Sequence, residues 1–230
     1  MESNWTECGA PSRKLPIPRV VRRTALWVFG SLMLSLVSVS ASAEVGAPAP
    51  VSVKVGVLAH RGPDLCVEQW EPHMRYLTQN VPGYAFEMVP LDFEAVEAVV
   101  RRKEVDFLLT NPAQHAYLDA DHGLCAVATL KESVDGSSTP LFAGAFIARE
   151  GAFVDGDVSV FKDARVAFVN PLSFGGYFAG LCELKRMGMD VRKAASEILF
   201  VGTHDEVVSH VLTGKADIEL IRSNTLERMA

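Results

Sequence analysis

Three short stretches set a small or hydroxyl side chain between an apolar run and the start of a helical pattern. They are Thr110-Asn111-Pro112, Ser173-Phe174-Gly175-Gly176 and Thr203-His204-Asp205. In an α/β lobe, ligands sit at the C-terminal ends of strands. Helix starts there expose unpaired N–H groups and a partial positive charge, so several of them facing one cleft hold an oxyanion without a formal cation. Taken singly, each is also an ordinary N-cap, worth about 1 kcal/mol to its own helix. Gly175-Gly176 differs, because paired glycines weaken a helix start by roughly 1 kcal/mol each. Their presence points to a close backbone approach.

Other chemistry is thinly represented. The chain contains no GxSxG elbow, Walker loop, HExxH or GxGxxG. His204 and His210 lie about 240° apart around a helix and do not form a metal pair. A hydrolase using His204 and Asp205 is the remaining catalytic reading. The 230 residues carry a net charge of −6. The first 43 hold five basic and two acidic side chains, so the rest stands at −9. A body that acidic, with no basic stripe, excludes nucleic-acid binding.

The N-terminus reads as an address. A basic region from Arg13 to Arg23 precedes the apolar run Ala25 to Val39, and Ala41-Ser42-Ala43 follows as a small-x-small cleavage pattern. Residues 1–43 are therefore expected to be a signal peptide cleaved after Ala43, or else an uncleaved signal anchor that leaves the protein membrane-associated. In either case the body is exported. Cys8 leaves with a cleaved signal, and Cys66, Cys125 and Cys182 remain. None has a metal-ligand spacing. An odd count allows one disulfide, with Cys66 and Cys125 the expected pair, against the alternative of three buried thiols.

The elements that must position these residues alternate strand and helix. Residues 44–50 form a Pro/Ala linker. Strands are expected at Val51–Leu58, Tyr84–Val89, Val105–Leu109 (covered on both faces) and Leu124–Leu130, with helices at Gln69–Asn80, Phe93–Arg102 and Pro112–Asp121. The polar stretch Lys131–Ser138 marks an internal boundary. Beyond it come strands at Leu141–Ala148 (buried), Arg165–Val169, Ile198–Val201 and Ala216–Ile221. Helices there span Phe174–Met187 and Asp205–Leu212, and a last one opens at Asn224. This is an α/β chain with mainly parallel sheets, in lobes 51–138 and 139–230 that face across a cleft.

Several stretches resemble the periplasmic phosphate-, phosphite- and phosphonate-binding family, most nearly the sensor domains fused to histidine kinases, among them the tetrathionate sensors. They are Val55–Gly62 (VGVLAHRG), Trp70, Val105–Leu118 (VDFLLTNPAQHAYL), Val166–Gly180 (VAFVNPLSFGGYFAG), Gly202–Ile218 (GTHDEVVSHVLTGKADI) and Ile221–Met229 (IRSNTLERM). The resemblance implies a two-lobed periplasmic binding protein-like fold that closes on a small anion. It implies Thr110 and Asn111 as ligand-binding residues of the first lobe, and Ser173, Gly175 and Gly176 as donors from the second, with His204 facing the cleft. Arg61 adds a charged bond or is a surface residue, and Tyr117 packs. Phe174 stands where phosphonate binders place a second hydroxyl residue, which favours a bulkier or softer anion. No cofactor is implied. The partners implied are the small anionic solute and either a kinase region or an uptake transporter. The family's pattern also continues past Ile221–Met229, so the second lobe is expected to be C-terminally incomplete, with an exposed apolar face and an unpaired strand edge.

Overall fold

The computed structural model describes residues 48–134, 136–152 and 156–230. The signal, its cleavage point, Cys8 and most of the 44–50 linker lie outside the described residues. Residues 49–230 form one compact unit.

Strand β1 (Val51–Leu58) runs between β2 (Tyr84–Leu91) and β3 (Phe107–Leu109), all parallel, in the order β2-β1-β3. Gly56 on β1 has a packing reason, since a Cβ there would meet Leu91 Cδ1 at 2.9 Å. Helix α1 (Pro63–Asn80) begins six residues before the expected start, with Pro63 in the first turn behind Gly62 at φ 104°. A proline at a first helical position costs the helix nothing, because the missing N–H is unpaired there anyway. Helix α2 (Phe93–Arg102) takes its expected bounds, capped by Asp92, whose carboxylate accepts from the Ala95 N–H. Helix α3 (Pro112–His122) follows Asn111 as N-cap.

Two expectations for this half fail. Val105–Leu109 was expected to be covered on both faces, but Phe107 is 50% exposed and β3 is an edge of the described sheet. Leu124–Leu130 was expected to be a strand, yet it pairs with no described strand and is almost wholly exposed. Its composition suits a strand, but a strand needs a ladder partner to form.

A small antiparallel hairpin, β4 (Glu132–Val134) and β5 (Ser137–Thr139), crosses the expected lobe boundary and joins neither large sheet. The second sheet has the order β6-β9-β7-β8, from β6 (Gly144–Ala148), β7 (Arg165–Phe168), β8 (Glu197–Phe200) and β9 (Ile218–Arg222). Only β6 is antiparallel, and it is half-buried and shorter than expected, because Leu141 stands out in solvent. One face of the sheet packs Val166, Phe168, Ile218 and Leu220 against Phe161, Leu184 and Val191. The helix expected over Phe174–Met187 is composite: a π-helical turn at Phe174–Phe178, then α4 (Ala179–Arg186). A short α5 (Val191–Ala194), then α6 (His204–Leu212) and α7 (Thr225–Met229) complete the order.

The halves share an apolar core. Leu58, Leu91, Phe93, Val96 and Leu118 of the first pack in one cluster with Val169, Val207, Val208 and Ile221 of the second. Cys66 is buried and free, and Cys182 is free, so the expected Cys66–Cys125 bridge is not formed. Burial pushes the Cys66 thiol up, as desolvation disfavours the thiolate. Among the described residues, no helix is long and apolar enough to cross a membrane, and no three His, Cys, Asp or Glu side chains are grouped to hold a metal.

Candidate functional site

A cleft of about 760 Å³ opens where the C-terminal ends of β1, β3 and β9 meet the starts of α3, the π-helical turn and α6. Thr110, Asn111, Ser173, Gly175 and His204 line it, whereas Phe174, Gly176 and Arg61 do not.

Asn111 Oδ1 caps α3, accepting from the Ala113 and Gln114 N–H groups at 3.0 and 3.2 Å. The same oxygen accepts from the Phe174 N–H of the other lobe at 3.2 Å. Its Nδ2 is buried and has no acceptor. Thr110 Oγ1 donates to Gln114 Oε1 at 2.6 Å, and Gln114 Nε2 donates to the Phe93 carbonyl. The Thr110 hydroxyl hydrogen is thus committed inside the protein.

The second lobe departs from expectation. Ser173 is 3% exposed, and its Oγ accepts from the Gly176 N–H at 3.1 Å. Together with the Asn111 bond, this spends two of the helix-start donors expected for a ligand. The glycines answer to protein packing. A Cβ on Gly176 would lie 2.4 Å from Val169 Cγ2, and one on Gly175 would lie 3.2 Å from the Arg222 backbone. Phe174 stacks edge-on to Phe142 with ring centres 5.6 Å apart.

At the start of α6, the Thr203 hydroxyl oxygen accepts from the Glu206 N–H, and the His204 N–H donates across to the His60 carbonyl at 3.0 Å. His204 Nδ1 accepts from the Arg222 N–H at 3.2 Å, so the ring proton of the neutral form sits on Nε2. Burial, aided by His60 and two nearby arginines, pushes the His204 pKa down to about 3. His60, edge-on with ring centres 5.8 Å apart, is lowered for the same main reason. His204 is consequently a neutral donor and a very weak base.

Arg61 is engaged elsewhere. Its Nε and Nη2 donate to the two Asp205 oxygens at 2.7 and 2.9 Å, tying the β1–α1 loop to α6. That fork–fork pair sequesters the charge expected for a ligand, and it raises the Arg61 pKa through the Asp205 bond. Both Asp205 oxygens thus serve Arg61, and His204 Nδ1 is taken by Arg222, so the two side chains do not bond to each other. The catalytic pair of the hydrolase reading is therefore not assembled.

Sequence reasoning missed a cation of the site. Arg222, the last residue of β9, lays its guanidinium over the Phe142 ring at 4.3 Å and pairs with Glu132 at 2.7 Å. Its Nε is buried without a partner. The signal lay in the quoted Ile221–Met229 stretch, where a basic residue closes an apolar strand. Asn111 Nδ2 and Arg222 Nε thus come from opposite lobes, and both are donors left without acceptors. A buried unpaired donor costs about 1–3 kcal/mol, more for a charged group, so these two, beside the unbonded Nε2 atoms of His115 and His122 that also line the cleft, call for an anionic acceptor.

The chain resembles proteins of known identity. It is 28% identical over 165 residues to the tetrathionate sensor histidine kinase TtrS of Salmonella typhimurium, a match covering 70% of this chain and 27% of that protein. A binding-protein component of a phosphonate ABC transporter from Pseudomonas aeruginosa is structurally similar, with a TM-score of 0.65 at 18% identity, over 78% of this chain and 60% of that one. A methylphosphonate complex from Prochlorococcus marinus gives 0.66 at 16%, over 78% and 66%. The chain therefore spans about a quarter of the curated relative and under two thirds of each of these two structures. Residues 55–230 match one family along their whole length, and the chain belongs to it: the periplasmic substrate-binding proteins of phosphonate ABC transporters.

Proposed function

We propose that residues 49–230 are an exported, periplasmic domain that binds a small oxyanion between its lobes and serves as the input of a sensor histidine kinase. One observation carries the binding reading: Arg222 Nε and Asn111 Nδ2 lie buried without acceptors beside one cleft. His204, held neutral, adds an Nε2–H donor there. Trp70, Leu109 and Phe142 line other parts of the wall and suit an anion with an apolar or soft substituent.

The likeness to a tetrathionate sensor kinase favours signalling, and the family description favours transport. Deleting the gene separates the two. A sensor loses anion-induced transcription, whereas a transporter component loses growth on the anion as a nutrient. The binding test is calorimetry with methylphosphonate, phosphite and tetrathionate on the wild type and on Arg222→Gln. Losing a hydrogen bond to a charged group predicts about a 10- to 100-fold fall in affinity. Equal affinity in a folded variant removes Arg222 from the site.

A further inference from the structure

Glu132 bridges two guanidinium groups. One carboxylate oxygen lies 2.7 Å from Arg222 Nη2 and the other 3.0 Å from Arg228 Nη2. Three features of this arrangement point the same way. Glu132 lines the cleft, so the acid sits where an anionic ligand would meet Arg222. As placed, its two oxygens meet the two Nη2 atoms and leave Arg222 Nε without an acceptor, whereas a tetrahedral oxyanion presents oxygens in more directions than a planar carboxylate and can reach all three donors. Finally, Glu132 rides on the β4–β5 hairpin, three residues per strand and joined to neither large sheet. An isolated two-stranded hairpin is marginal in water, so it moves at little cost.

We propose that Glu132 is a built-in competitor for the anion. In the structure it fills the ligand's place on Arg222, and an incoming oxyanion takes Arg222 and Arg228 by displacing it. This makes Glu132 the residue that sets which anions bind. A ligand must outbid a carboxylate, which selects multi-oxygen anions over simple carboxylates. Displacement also frees the hairpin, so that occupancy of the cleft is reported at 132–139. The proposal rests on the anion-binding reading above and goes beyond it by naming what the anion replaces.

The experiment uses the chain as it stands, with Glu132→Ala and Glu132→Gln beside the wild type. Methylphosphonate, tetrathionate, inorganic phosphate and acetate serve as calorimetric probes, and amide hydrogen exchange is followed at 132–139. The expected result is an affinity at least tenfold tighter in Glu132→Ala for any multi-oxygen probe that binds the wild type. Acetate should gain relative to that probe in the variant, and hairpin exchange should quicken when the probe is added to wild type. Affinity unchanged or weaker in Glu132→Ala overturns the displacement while leaving the anion reading intact. Binding of no probe to wild type or either variant overturns the anion reading itself, and the displacement with it. If neither variant folds, exchange in the wild type decides: faster with probe supports displacement, and unchanged or slower overturns it.

Discussion

Asn111 and Ser173 hold equivalent places in the two lobes, each following a strand and capping a helical turn. Asn111 spends one side-chain oxygen on three N–H groups and keeps Nδ2 unspent. Ser173 is buried, and its single oxygen takes the Gly176 N–H. Its neighbouring glycines are pressed against Val169 and Arg222. A helix start is thus not by itself a binding site. What matters is which donors remain after the fold has satisfied its own: the amide cap keeps two N–H bonds, and the hydroxyl cap keeps a single O–H.

The largest effect expected from this contrast is at Asn111. Asn111→Asp keeps the capping oxygen but turns the spare donor into negative charge. The cap should hold and the fold persist, at some cost in stability for the buried charge, while oxyanion affinity falls by about 100-fold. Retained affinity by calorimetry would erase the distinction between the two caps. At the Ser173 turn the expected losses are in stability. Gly176→Ala drives a Cβ into Val169 and should cost about 1–3 kcal/mol in denaturant unfolding. Ser173→Ala should cost about 1 kcal/mol through the lost cap. A loss of affinity from Ser173→Ala with stability unchanged would assign the serine hydroxyl to the ligand instead of to the cap.

The alternation of strand and helix was legible because each run carried its own period and punctuation, as in α2 with Asp92 before it and β1 with its alternating β-branched residues. Leu124–Leu130 misled because pairing is a property of two segments, and only one was in view. At the site, Thr110, Asn111, Ser173, Gly175 and His204 do line the cleft. Their roles were not legible, because whether a group is spent depends on side-chain geometry, locally as with Thr110 and Gln114 and across the chain as with Phe174 and Asn111. Arg61 and Arg222 show the same limit. Both follow apolar strands, yet one is consumed by Asp205 and the other keeps Nε unpaired.

A further contrast sets two buried titratable groups of the second lobe against each other. Glu219, in the middle of β9, is 0% exposed and makes no hydrogen bond with its carboxylate oxygens. Burial pushes its pKa from 4.5 up to about 8, against a smaller opposite pull from the Val211 backbone. Between those values the folded state holds a proton that the unfolded chain releases, so stability falls as pH rises. His204 acts in the opposite sense. The unfolded imidazole takes a proton below 6.5 and the folded one only near 3, so stability is lost as pH falls through that window. The two oppose each other from about 4.5 to 6.5. From 6.5 to 8 Glu219 acts without that opposition, and stability should decline by about 1–2 kcal/mol. Glu219→Gln should abolish that decline in denaturant titrations at pH 6.5 and 8. A decline that persists in the variant would assign it to another group.

The central claim is that Arg222 Nε–H and Asn111 Nδ2–H await one acceptor. Side-chain ¹⁵N–¹H spectra, recorded while tetrathionate or methylphosphonate is added, test it most directly. Both proton resonances should move downfield together and report one dissociation constant, the mark of a single anion bonded from both lobes. If a probe binds and neither resonance moves, or the two report different constants, the two donors do not share a ligand and the account is contradicted.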